Sequence, residues 1–248
     1  MASELSRTLD EIVAQVGPTL RTAGFRKRGR TYNRTISPGF VHVVNFQLGR
    51  VIAPFDTLQI RGRGPNPYAY FAVNLGVFVA EAWRLESSRF GPEGPPIDDK
   101  KWISESDCQL RRRLSRPQDN RSVLRRFVGR RNGGESWPLG DASTVARLTT
   151  AITTDGFGWL ARYPDRTALL AELEGRPPSS HETCGIGGPD HLLAVRMHLA
   201  SGNTARAQAI FTDYVLHRRA HLGAEPHLGG HLERLSEYAD EVGLSFPN

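Results

Sequence analysis

The chain has 248 residues, 39% hydrophobic and 23% charged, which suffices to bury a core in one large domain or in a domain with an appendage. Two cysteines exclude a disulfide scaffold, and the formal charge of +6 matters less than how the basic residues are distributed. No run of about 18 apolar residues occurs, so no membrane span is expected, and the charged start MASELSRTLDEIV lacks a signal-peptide core, which makes the cytoplasm the expected location.

Leu5, Leu9, Ile12, Val13, Val16 and Leu20 recur at helical spacing. Ser3 is placed to cap that helix and Gly24 to close it, while Pro18 predicts a kink or a tightened last turn. Four strands are expected, near 26–36, 40–48, 57–63 and 69–79, with turns at SPG (37–39) and GRGPNP (62–67). Sequential strands with short turns imply an antiparallel meander, and the opening helix must bury its stripe on one sheet face. The expected class is therefore α+β: a four-stranded antiparallel sheet with an N-terminal helix packed on one face, then short helices and a C-terminal helical hairpin.

FGPEGPPIDDK (90–100) reads as a loop, and DCQLRRRLSR after it as a short helix. Asp141 or Ser143 is placed to cap a helix carrying Val145, Leu148 and Ile152, and two more short helices meet at Pro164. GRPPSSHETCGIGGP reads as a linker. Beyond it the pattern is helical: Pro189 suits a first helical position, and two amphipathic segments flank Gly202 and Asn203. Small Ala200, Ala205 and Ala207 beside Phe211 and Tyr214 resemble a tetratricopeptide-type hairpin, with one more helix to cover it. The expected organisation is an α+β domain over 1–174, a linker over 175–188 and a helical appendage over 189–248.

Basic residues cluster. Arg21 to Arg34 holds six and no acid; Arg111 to Arg131 holds nine arginines against Asp119. Such runs are either solvated, anchored helix faces or an anion and nucleic-acid surface. His181, Cys184 and His191 are too few and too loosely spaced for a metal site, and His227 and His231 lack the glutamate of the zinc-protease motif. Neither a GxSxG turn nor a phosphate-binding loop in its strand–helix context occurs. No catalytic residue, metal or cofactor is expected.

One feature raises a functional question. Along 40–48, Val41, Val43, Asn45 and Gln47 share a face, and in the last strand Asn74 and Gly76 share one. Amides inside strands must be solvated or bonded. Either they bond local backbone, or Asn45, Gln47 and Asn74 line a polar groove near Arg34, with Arg111 and Arg113 reaching it from the following helix.

The motifs GFRKRGRTYNR, VVNFQLGR, YFAVNLGV, CQLRRRL and SWPL, in that order, resemble the bacterial family catalogued as domain of unknown function 4304, across roughly Glu4 to Leu173. The resemblance implies that Gly24, Phe25, Gly29, Arg30, Arg34, Asn45, Phe46, Gln47, Asn74, Leu75, Gly76, Arg113 and Trp137 are the shared positions. Pro138 departs from the family's paired tryptophans. No activity comes with the resemblance. The expectation is a non-catalytic, protein-binding module, with an immunity-type role as one instance. The alternatives are a nucleic-acid binder using the Arg-rich segments, or an enzyme acting on a small anionic or phosphorylated ligand. The expected binding residues are Arg34, Asn45, Gln47, Asn74, Arg111 and Arg113.

Overall fold

The computed structural model describes residues 4–49, 70–87, 102–116, 136–175, 183–184, 188–222 and 229–247. Helix α1 (Glu4–Thr22) turns Leu9, Ile12, Val13, Val16 and Leu20 inward and continues through Pro18. Its end is closed by the amides of Gly24 and Phe25, which donate to the carbonyls of Arg21 (2.9 Å) and Leu20 (3.0 Å). This is a Schellman closure, and it needs a left-handed residue, supplied by Gly24 at φ +84.

Three strands follow: β1 (Arg26–Arg28), β2 (Thr31–Ser37) and β3 (Phe40–Leu48). The single strand expected at 26–36 is two, because Arg28 pairs with Thr31 across a two-residue turn at Gly29–Arg30. Ser37 pairs with Phe40 across Pro38–Gly39, where the sequence places a turn. Strand β4 (Tyr70–Val79) lies beside β3, with β5 (Leu110–Arg113) and β6 (Trp137–Pro138) along its other side. The sheet thus has six strands among the described residues, rather than four. The strand expected at 57–63 lies outside them.

The helix expected over DCQLRRRLSR is instead a 3₁₀ turn (Glu105–Asp107) and β5, paired antiparallel to β4. In LRRRL the two leucines fit a helix face and a strand face equally, and short runs of this kind are ambiguous. Pairing with the buried strand β4 decides it. Leu110 and Leu114 are buried there, while Arg111 and Arg113 alternate to the opposite face.

The contacts divide the chain into two compact units, 1–78 with 101–163, and 79–100 with 164–248. In the first, α1 covers one sheet face: Tyr32 donates to the Val13 carbonyl (3.2 Å), and the Arg30 guanidinium pairs with Asp10 (2.7 Å). Helix α3 (Thr144–Ala151) packs on α1 and passes through a π turn (Ile152–Gly156) into α4 (Phe157–Ala161), whose Phe157 stacks on Phe25.

The second unit holds α2 (Ala80–Ser87), α5 (Arg166–Gly175), α6 (Asp190–Ala200), α7 (Thr204–Leu222), α8 (Gly229–Val242) and a short ladder of β7 (Thr183–Cys184) with β8 (Gly188–Pro189). Residues 192–198 of α6 are all buried, because α2, α5 and α7 pack around it. Arg166 pairs with Glu81, and Glu174 accepts from His198 and Arg206. Burial pushes the Glu174 carboxyl up, but the Arg206 and His198 bonds outweigh it and hold it below the ordinary range. No helix among the described residues is long and apolar enough to cross a membrane.

Candidate functional site

The site is built by strand alternation in the first unit. Tyr32 and Val44 are register partners, and Tyr32 reaches α1, so the even positions of β3 face that helix. Val41, Val43, Asn45 and Gln47 therefore occupy the other face. One end of that face is covered by the 3₁₀ segment: Ile103 and Cys108 are buried, and Asn33 donates to the Ile103 carbonyl (3.0 Å). A Cβ on Gly76 would lie 2.5 Å from the Cys108 sulfur, so that strand position must be glycine for the segment to close down.

Beyond this cover the face turns polar. Arg113, the register partner of Asn74, donates from Nε to Asn74 Oδ1 (3.3 Å), and Asn74 Nδ2 donates to Gln47 Oε1 (3.0 Å). The middle member is buried, 5% exposed, while Gln47 and Arg113 at the two ends are exposed. Beside this ladder Asn45 Nδ2 donates to the hydroxyl of its partner Thr31 (2.9 Å). Arg111, opposite Gly76, pairs with Glu105 (2.7 Å). Its buried Nη1 has no hydrogen-bond partner among the described residues. Comparison of the chain with protein-family models, with curated proteins and with solved structures finds no match.

Of the six sequence-predicted residues, Asn45, Gln47, Asn74, Arg111 and Arg113 share one face, and both arginines reach it from a strand, not from a helix. Arg34 does not join them. It is the register partner of His42 and lies on the α1 face, where it stacks on Phe25 at 4.9 Å and donates to the Ala23 carbonyl (3.3 Å). A guanidinium only donates, so His42 Nδ1 accepts from Arg34 (3.0 Å) and Nε2 donates to the Tyr163 carbonyl (2.9 Å). Burial, reinforced by the Arg34 charge, holds the His42 pKa down to about 4, so this imidazole is neutral at ordinary pH.

Sequence reasoning missed His42, Thr31 and Glu105. The signal for Thr31 and His42 was register, which strand spacing does not supply before pairing is known. Glu105 is half-buried against Arg111, a pairing that the sequence does not signal. His181 and His227, weighed as metal ligands and set aside, lie outside the described residues, as does the side chain of Cys184. Among the described residues no group of three His, Cys, Asp or Glu side chains is placed to hold a metal.

Proposed function

We propose that the chain is a non-catalytic binding module of the cytoplasm that receives a protein partner on the face bearing Asn45, Gln47, Asn74 and Arg113. One observation carries this reading: a buried amide, Asn74, ties together two exposed side chains, Gln47 and Arg113. Burying an amide in a strand costs desolvation, and replacing bonded partners by apolar groups of the same shape can be nearly neutral. Folding alone therefore does not account for the ladder; contact at its exposed ends does. Gln47 and Arg113 stand exposed on the sheet, where a protein surface can reach them. The resemblance to domain of unknown function 4304 is part of the proposal. So is the reading of α6 and α7 as a tetratricopeptide-like hairpin, and an immunity-type role is one instance of such a module.

The nucleic-acid reading draws on a separate observation, the exposed Arg26, Lys27 and Arg28 of edge strand β1. Charged residues on an edge also guard against strand addition, which explains them without a ligand. The discriminating experiment immobilises the full chain and its Gln47→Ala and Arg113→Ala variants, and compares what each retains from a lysate of the source cells. A protein retained by the unmodified chain and lost by both variants, at unchanged melting temperature, is the expected result. Retention by all three, or retention only of nucleic acid that falls steeply with salt, overturns the proposal.

A further inference from the structure

We infer that the exposed end of the ladder receives a carboxylate, an aspartate or glutamate side chain on the partner's surface. The inference rests on the protein-binding reading above and names the chemistry that face selects.

Its basis is the direction of the hydrogen bonds. A guanidinium holds donors only, so Arg113 engages Asn74 through the amide oxygen. The Asn74 nitrogen must then turn toward β3, where it donates to Gln47 Oε1 at 3.0 Å. Gln47 is thereby oriented in its turn, with its oxygen held inward on Asn74 and its Nε2 group outward at an exposed position. The oxygen and nitrogen of an amide are ordinarily interchangeable choices; here a cation two side chains away decides both. Donors aligned head to tail from a positive charge also polarise the outward N–H and strengthen it.

The same face carries a second donor, the half-buried Thr31 hydroxyl. The Thr31 hydroxyl accepts from Asn45 Nδ2, which leaves its own hydrogen to give. At its exposed Gln47–Arg113 end the face thus meets its partner with donors, in a chain of net charge +6, and an acidic side chain supplies both the acceptors and the complementary sign. Phosphate fits less well. A nucleic-acid backbone seeks closely placed cations, yet Arg111 is held by Glu105 at 2.7 Å and Arg34 lies on the opposite face.

The test titrates ¹⁵N-labelled full-length protein with three probes: the capped dipeptide Ac-Glu-Glu-NH₂, its neutral counterpart Ac-Gln-Gln-NH₂, and a short single-stranded oligonucleotide. The signals read are the Gln47 side-chain amide and the Arg113 Nε–H. The expected result is a saturable shift of both with the acidic dipeptide alone. Gln47→Glu should weaken that binding about tenfold or more, because the new carboxylate still accepts from Asn74 but carries no outward N–H. An equal response to the neutral dipeptide, a response to the oligonucleotide alone, or a silent Gln47 signal overturns the inference. Capture of a protein that Gln47→Ala removes and Gln47→Glu leaves intact would keep the binding face and remove the carboxylate. Capture unaffected by either variant would remove the face itself.

Discussion

Asn74 and Gln47 belong to one ladder, yet they differ in what folding demands of them. Asn74 is buried and bonded on both sides, so Asn74→Ala removes two hydrogen bonds and should cost roughly 1–3 kcal/mol. Gln47 is exposed, and Gln47→Ala should change stability by no more than about 0.5 kcal/mol. Thermal melts of the two variants check the contrast; equal losses would mean that the exposed end is structural. His42 offers a pH test. Its folded pKa is depressed to about 4 from 6.5, so the unfolded chain takes up the proton first as pH falls. The stability this group contributes is complete above about pH 6.5 and is lost progressively toward pH 4, roughly 3 kcal/mol in all. Denaturant melts between pH 7.5 and 4 should show that slope, and His42→Gln should flatten it.

The elements are held by short local devices. Helix α1 ends where Gly24 adopts φ +84, and Arg30, from the β1–β2 turn, reaches back to Asp10 on the same helix. Gly24→Ala places a Cβ in left-handed backbone and should cost about 1–2 kcal/mol, read as a lowered melting temperature with the sheet's circular-dichroism signal retained. Both basic runs singled out in the sequence meet the sheet at short strands, β1 with Arg26, Lys27 and Arg28, and β5 with Arg111, Arg112 and Arg113. In β5 alternation separates the three: Arg111 and Arg113 join the polar face, and Arg112 does not.

In the whole molecule, the second unit takes its helices from two separate stretches of chain. Helices α2 and α5 pack on α6, whose Leu192, Leu193, Ala194 and Val195 are buried. This unit therefore includes segments that the sequence reading grouped with the α+β domain, and residues 176–182 and 185–187 of the expected linker lie outside the described residues. A chain ending at residue 188 would strip α6 from α2 and α5 and expose their apolar faces. Such a truncation should elute as aggregate in size-exclusion chromatography; a monomer with the full-length melting temperature would show that 189–248 is a dispensable appendage.

Local pattern alone determined the α1 stripe, its glycine closure, the Pro38–Gly39 turn, the α+β class and the shared face of Asn45 and Gln47. Each depends on residues within a few positions of one another, where periodicity and backbone preference suffice. Tertiary structure decided the rest. LRRRL became a strand because β4 had an open side to pair. Arg113 joined the amides and Arg34 left them because register, not spacing, assigns cross-strand neighbours. The direction of the ladder appeared only once Arg113 stood opposite Asn74, since an amide's two ends are alike until a group that can only donate chooses between them.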